Sequence, residues 1–301
     1  MTTFGSTHIN TVPSPIPNVA LVLEGGGFRG IYTAGVLDAF LDERLVFDYL
    51  IGVSAGAAYG VSYVSGQYER NLAVNAYVND PRYCSWGNLF KKGNYFDWEF
   101  VYQTMPTQMV PFDYDAFLHS PSNLHVVVTN IVTGEPEYKH LKTDNPRMFR
   151  DWLTATSSLP FISKPKAIDG KLYMDGGLSD SIPVHKALAD GNQRAVVVLT
   201  RPRGYRKKPL KNHLILRLAY RKFPKLVQLM KDRAHCYNRT IDDLEKMEKE
   251  GRAFIIRPDD AIIVSRLENN PANLRRVYDL SRRQMQKTTL PGLKAWLKNG
   301  N

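Results

Sequence analysis

The sequence predicts an α/β fold built on a mixed, mainly parallel sheet, and three observations carry that reading. Continuous apolar or β-branched runs, Val19 to Leu23, "LHVVVTN" (124–130) and "AVVVLT" (195–200), have the composition of strands covered on both faces. Between the first two lies a helix over about 30–41, with Ile31, Ala34, Leu37 and Leu41 recurring at helical spacing. The short apolar "FDYLIG" (47–52) then closes a strand–helix–strand unit, whose crossover is right-handed.

The later elements follow the same logic. "NPRMFRDWLTATSS" is helical, and "KAIDGKLYMDGG" reads as a hairpin turning on Asp169-Gly170. "AFIIRP" reads as a last strand, and "NPANLRRVYDLSRRQMQKTTL" as a helix with Leu274, Val277 and Leu280 on one face. With 301 residues, 43% of them apolar, the chain is long enough for one large core, and it has neither an internal repeat nor a clear interdomain linker. The expected organisation is a mobile Ser/Thr/Asn/Pro-rich leader over 1–18 and a core over 19–200. Residues 201–301 complete the same domain with basic amphipathic helices, a strand and further helices.

Cys84 and Cys236 stand far apart and outside metal-ligand spacing, which argues against a disulfide framework or a zinc site. The start lacks a basic stretch followed by an apolar one, and no apolar run approaches a membrane span, so a soluble, cytoplasmic protein is expected. The net charge of +11 is concentrated. Between Arg201 and Arg233 twelve Lys and Arg face one acid, Asp232, so this segment carries the whole imbalance.

The first strand runs into Gly25-x-Gly27-x-x-Gly30, the spacing of a dinucleotide fingerprint. That reading requires an acid at the end of the second strand to bind ribose. The second strand ends instead in Gly52-Val53-Ser54-Ala55-Gly56, a pattern that fits a nucleophile elbow. A serine on so sharp a turn projects its hydroxyl only if the residues two before and two after lack bulk, as Gly52 and Gly56 do. The glycine loop then takes on a different role. Bare amides of Gly26 and Gly27, with that of Ala55, are candidate donors to a tetrahedral oxyanion, and Arg29 adds positive charge beside them.

A serine nucleophile needs a base. Of the later histidines, His125 opens a strand, His185 reads as a helix-face residue, His213 and His235 lie in the basic segment, and His119 and His140 have no persuasive setting either. Asp175, by contrast, terminates a strand and is followed by Gly176-Gly177, so its carboxylate is aimed from the C-terminal edge of the sheet, where ligands bind in open α/β folds. Asp175 as general base for Ser54 makes a Ser-Asp dyad. The alternative left open is a Ser-Asp-His esterase of α/β-hydrolase type.

The ordered set Gly25-Gly26-Gly27-Phe28-Arg29-Gly30, Gly52-Val53-Ser54-Ala55-Gly56 and Asp175-Gly176-Gly177 resembles the three motifs of the patatin-like phospholipase family. "SSLPFISKP" (157–165) and "IPV" (182–184) are similar to it as well, and the tail "SRLENNPANLRRVYDLS" resembles its bacterial YjjU-type branch. Ser181 stands where the family commonly has Asn. The resemblance implies a three-layer α/β/α fold and a lipid acyl hydrolase acting on phospholipid or another fatty-acyl ester. It further implies nucleophile Ser54, base Asp175, a glycine-loop oxyanion hole and no metal or organic cofactor.

Two further expectations concern the lipid. Phe112, Trp98 and Phe161 are aromatic candidates for an acyl channel, and 201–233 interleaves Leu210, Leu214, Leu218, Phe223, Leu226, Val227 and Met230 with cations on two helices divided at Pro224. Such a segment either lies on an anionic membrane or packs its apolar face on the core. A nucleic-acid binder is the rival from another class, but zinc-finger spacing and RNP-like aromatics are missing and charge alone attracts without specificity. A lipid-binding pseudoenzyme is the third reading, against which the intact motifs argue.

Overall fold

The computed structural model of the chain describes residues 14–211 and 213–299, so most of the expected leader lies outside the described residues. The first strand begins at Ile16, three residues before the expected start. The Ile16 amide reaches Val46 O at 2.7 Å, and a register shift between Ile16 and Ala20, with Asn18 at φ 58°, accommodates Pro17, which has no amide to give.

One eight-stranded sheet forms the centre. Its strands are β1 (Ile16–Leu23), β2 (Phe47–Gly52), β3 (Asn123–Asn130), β4 (Pro136–His140), β5 (Lys166–Ile168), β6 (Lys171–Asp175), β7 (Arg194–Val198) and β8 (Ala253–Ile256). They run in the order β5-β6-β3-β2-β1-β7-β8, with β4 also on β3. The pairs β1–β2, β1–β7, β2–β3 and β7–β8 are parallel; β3–β4, β3–β6 and β5–β6 are antiparallel. Asp169 (φ 48°) and Gly170 (φ 75°) both occupy the left-handed region in the β5–β6 turn, as a primed hairpin turn requires.

The α-helices that follow in chain order are α1 (Ile31–Asp42), α2 (Ala55–Val64), α3 (Arg70–Asn75), α4 (Trp86–Lys92), α5 (Tyr114–His119) and α6 (Pro146–Ser157). After them come α7 (Val184–Ala189), α8 (His213–Ala219), α9 (Pro224–Lys249), α10 (Pro271–Gln284) and α11 (Leu290–Lys298). Alternation along β1 sorts the layers: Leu21 and Leu23 face α1, α2, α6 and α10, while Ala20 and Val22 face α7 and α9. The architecture is therefore the expected three-layer α/β/α arrangement. The tail helix is interrupted where a single one was expected, since Met285–Thr289 widens to π turns between α10 and α11. Leu274 and Val277 are buried on α10 as expected, but Leu280 is exposed, and Tyr278 and Ser281 fill the contact instead.

That contact presses α10 onto α1 at Gly35, where a Cβ would stand 1.9 Å from Ser281 Oγ. The Tyr278 hydroxyl donates to Asp38 Oδ2 at 2.6 Å inside the interface. Burial raises the Asp38 carboxyl to about 7, opposed by that hydrogen bond, the Glu69 amide and the Arg282 charge. Below about pH 4 the carboxyl is neutral in both folded and unfolded chains. As pH rises from there towards 7 only the unfolded chain ionises freely, so this group's contribution to stability declines across that window and levels off above it. Asp38→Asn keeps an acceptor for Tyr278 and is expected to remove that decline, read as urea midpoints at pH 5 and pH 7.5 whose difference is smaller in the variant than in the wild type.

Candidate active site

Ser54 sits between β2 and α2 at φ 54°, ψ −122°, a backbone conformation that costs roughly 1–3 kcal/mol for a side-chain-bearing residue and persists only where its surroundings impose it. Its surroundings do so from several sides. Val53 N donates to Leu23 O at 3.1 Å and Gly56 N to Val53 O at 2.9 Å, while Ser54 N donates to Thr156 Oγ1 at 3.0 Å. Thr156 is itself anchored by its 2.6 Å bond to Val127 O. The flanking glycines are required by space. A Cβ on Gly52 would meet Ala57 N at 2.7 Å, and one on Gly56 would meet Leu23 O at 2.5 Å.

Asp175 reaches the same place by strand register. β4 lies along one edge of β3 over residues 125–129; on the other edge β2 pairs with 123–126 and β6 with 128–130. β2 runs parallel to β3 and β6 antiparallel, so the two meet head-on, with Gly52 opposite Val126 and Asp175 opposite Val128. Asp175 N donates to Ser158 O at 2.8 Å, which ties it to the same end of α6 that holds Ser54 through Thr156. The carboxylate is buried; Oδ1 accepts the Gly177 amide at 2.7 Å, and Oδ2 is enclosed without a fixed donor. Burial raises its pKa above the usual carboxylate value, opposed first by the Ser54 hydroxyl and next by the Arg233 charge. Gly176 allows the following turn to pass against Val127 O, 2.2 Å from where a Cβ would be.

The glycine loop leans on both. Gly25 lies against Val53 and Ser54, Gly26 against Thr200, Gly27 (φ 57°) against Arg266 and Gly30 against Ala55 and Tyr59, each too close for a Cβ. The amides of Gly26, Gly27 and Ala55 donate to no partner among the described residues. Arg29 is buried in the same cleft as the loop, and its Nε has no partner among the described residues. Ser181 donates to Gly177 O at 2.8 Å.

Ser54, Asp175 and the glycine loop line one narrow cleft of about 50 Å³. Among the described residues no histidine lines it. His125 stacks on Tyr49 and neighbours His140, His185 pairs with Asp243 at 3.0 Å, His119 caps its own helix, and His213 and His235 are exposed. Several lining residues went unread in the sequence. Glu24 is a buried carboxylate that accepts Thr200 N (2.6 Å), Thr200 Oγ1 (3.0 Å) and the Tyr237 hydroxyl (2.9 Å), so it ties β1, β7 and α9 together. Its signal was an acid closing an apolar strand directly before the glycines. Arg233 Nε donates to Gly177 O at 2.6 Å, holding the Asp175 loop from α9. Lys207, which stands over the Tyr237 ring at 3.8 Å, is lowered to about 7 by burial first and then by the neighbouring Arg233 charge.

A second, apolar cavity of about 330 Å³ opens behind α2 from Ala58 onward, walled by Tyr59, Tyr102, Phe112, Phe149 and Leu153 among others. Of the three aromatic candidates, Phe112 is in its wall; Trp98 stacks between Phe96 and Tyr102, and Phe161 is exposed against Tyr220.

A nucleophile elbow, a glycine loop and a strand-end carboxylate on an α/β/α frame define a class, and comparison with known proteins agrees with it. A family model described as patatin-like phospholipase matches residues 21–188, more than half of the chain, which therefore belongs to the patatin-like phospholipase family. A second model, described as a domain of unknown function (DUF6363), matches residues 223–298. Within the family the likeness is to the YjjU-type branch: the uncharacterized protein YjjU of Escherichia coli (strain K12) is 31% identical over 61% of this chain and 52% of its own. The probable lipid hydrolase 463L of Invertebrate iridescent virus 6 is 24% identical over 58% of this chain and 64% of its own. Lysophospholipase NTE1 of Cryptococcus neoformans is 24% identical over 60% of this chain and 11% of its own. The chain thus spans less than two thirds of each of these relatives. The crystal structure of VipD from Legionella pneumophila aligns over 93% of this chain and 67% of its own, with 14% identity and a TM-score of 0.45.

Thr156→Val removes the acceptor of the Ser54 amide and the donor to Val127 O together. The expected loss is about 1–3 kcal/mol for each buried group left unpaired, measured by chemical denaturation.

Proposed function

We propose that this chain is a serine lipid acyl hydrolase in which Ser54 is the nucleophile and Asp175 its general base. The observation that carries the reading is the head-on meeting of β2 and β6, which brings a strained serine and a buried carboxylate into one cleft with no histidine among the described residues lining it. Ser54 Oγ attacks the ester carbonyl and its proton passes to Asp175. The amides of Gly26, Gly27 and Ala55 hold the oxyanion, each worth about 3 kcal/mol by analogy with known oxyanion donors. Collapse expels the alcohol, which takes the proton; water then attacks the acyl-enzyme and gives its proton to the same carboxylate, which passes it to Ser54 Oγ as the fatty acid leaves. The raised pKa of Asp175 makes it a stronger base than an exposed aspartate. No step in this scheme calls for a metal or an organic cofactor.

Membership in the patatin-like family and the likeness to proteins named lipid hydrolase and lysophospholipase support a fatty-acyl ester as substrate. The apolar cavity behind α2 is the compartment we assign to the acyl chain. We also propose a peripheral contact with an anionic bilayer at the inner face of the membrane. No helix of the described residues is long and apolar enough to cross one. On α8 and its flanks Leu210, Leu214, Ile215 and Leu218 are exposed, and Phe161 beside them is joined to Tyr220 through its amide at 2.7 Å. Exposed Lys208, Lys211, Arg217, Arg221 and Lys222 surround them, each able to contribute about 1 kcal/mol near an anionic surface. Leu159, two residues before Phe161, lines the cleft, so this patch faces lipid at the mouth of the site.

Fluorophosphonate labelling read by intact mass is expected in the wild type and absent in Ser54→Ala, together with fatty-acid release from anionic vesicles. Asp175→Asn is expected to lower turnover by about 10²–10⁴-fold, and the wild-type acid limb of kcat/KM to lie above the ordinary carboxylate value near 4. A folded wild type that neither labels nor releases fatty acid overturns the assignment. Replacing Leu214 and Leu218 together by Ser should weaken co-sedimentation with anionic vesicles and depress vesicle hydrolysis more than hydrolysis of soluble p-nitrophenyl butyrate; unchanged co-sedimentation refutes the membrane contact.

A further inference from the structure

Five cations line the cleft around Ser54 and Asp175: Arg29, Arg201, Lys207, Arg233 and Arg266. Among the described residues none of them forms an ion pair with a carboxylate. Their neighbours do: Arg203 and Arg257 bind Glu248, and Arg206 binds Asp242 and Glu245. Within the cleft the cations meet other partners. Arg233 donates to a carbonyl, Arg201 and Lys207 stand over the rings of Tyr205 and Tyr237 at 4.5 and 3.8 Å, and Arg29 Nε is buried with no acceptor among the described residues. The carboxylates that line it among the described residues are Glu24 and Asp175, and Glu24 is already committed to Thr200 and Tyr237.

Cations gathered in this way repel one another and lose hydration, a cost that an anionic ligand would reverse. We propose that the cluster is the subsite for a phosphomonoester headgroup, so that the preferred substrate is an acylated glycerol phosphate rather than a zwitterionic phospholipid. The proposal rests on the hydrolase reading of the same cleft. Three features select that chemistry. The four guanidinium groups alone outnumber the two carboxylates by two, before Lys207 is counted, which suits a dianion better than a monoanion. A choline or ethanolamine headgroup would bring a further cation into that field. Four of the five groups are guanidinium forks, which meet phosphate oxygens in pairs. They converge from separate segments: Arg29 from the glycine loop, Arg201 and Lys207 from the stretch after β7, Arg233 from α9 and Arg266 from the stretch after β8. Two of them, Arg233 and Arg266, belong to residues 223–298, the part matched by a domain of unknown function, and headgroup recognition gives that part a role.

The test uses full-length Ser54→Ala protein titrated calorimetrically with sn-glycerol 3-phosphate, inorganic phosphate and glycerophosphocholine. Glycerol 3-phosphate is expected to bind at least about tenfold more tightly than glycerophosphocholine, and Arg201→Gln with Lys207→Gln to weaken it by about tenfold or more, as loss of charge-assisted bonds implies. In the enzyme with Ser54 intact, the same pair of changes should lower the ratio of kcat/KM for 1-acylglycerol 3-phosphate over p-nitrophenyl butyrate by a similar factor, through KM. Equal binding of the two headgroups, binding that ignores the two substitutions, or affinity for inorganic phosphate alone overturns the proposal. Headgroup binding as expected in a protein whose wild type cleaves no ester supports the subsite and overturns only the hydrolase reading.

Discussion

The site depends on two strands that share one edge of β3 and run into each other. A strand end normally opens onto a loop with freedom to wander; here the ends of β2 and β6 are separated by a single position of β3, so the residues that follow must turn sharply out of the sheet. Ser54 turns out through a strained backbone and Asp175 through a short helical turn over Gly176 and Gly177. The C-terminal end of α6 locks both, Thr156 holding the Ser54 amide and the Ser158 carbonyl holding that of Asp175. Distance between the two groups is thereby a property of sheet register, which a buried ladder keeps to within a residue.

That arrangement demands close approach, and glycine is what permits it. The loop after β1, the elbow after β2 and the turn after β6 pack backbone against backbone, with carbonyls of Leu23, Val53 and Val127 where side chains would otherwise start. The same crowding leaves the amides of Gly26, Gly27 and Ala55 without partners among the described residues. Glu24 adds the tie across layers: one buried carboxylate satisfies the amide and hydroxyl of Thr200, just past β7, and a tyrosine of α9, so the helix that contributes Arg233 is fixed to the strand that carries the glycine loop.

The basic segment shows how a single sequence feature divides in three dimensions. Read along the chain, 201–233 is one run of positive charge. Folded, Arg201, Lys207 and Arg233 turn into the cleft, Arg203 and Arg206 neutralise acids of α9, and Lys208, Lys211, Arg217, Arg221 and Lys222 remain exposed around the apolar side chains of α8. Of the two readings of the segment, packing on the core holds for α9, while the apolar side chains of α8 face outward, which leaves the membrane reading a proposal. Leu226, Val227 and Met230 of α9 are buried, and Leu214, Ile215 and Leu218 of α8 are not.

The strands of the α/β frame other than β4, the helices that flank the site, the elbow, the glycine loop and the strand-end aspartate were legible because each is written locally, whereas β4 and the short helices α3, α4 and α5 were not read. Apolar period, turn chemistry and the absence of a Cβ act over a few residues. Asp169-Gly170 and Gly52-x-Ser54-x-Gly56 are of that kind. The beginning of β1 at Ile16, the widening of the tail helix at Met285 and the exposure of Leu280 were not, since each answers to a neighbour distant in sequence. Thr156, Glu24 and the cation cluster were beyond reach for the same reason: Glu24 meets Tyr237 across 213 positions and Ser54 meets Thr156 across 102. The sequence by itself determined which residue types stand at the strand ends. Only the tertiary structure decided which charges face the cleft, because burial and pairing depend on elements that come together only when the sheet and its two helical layers close.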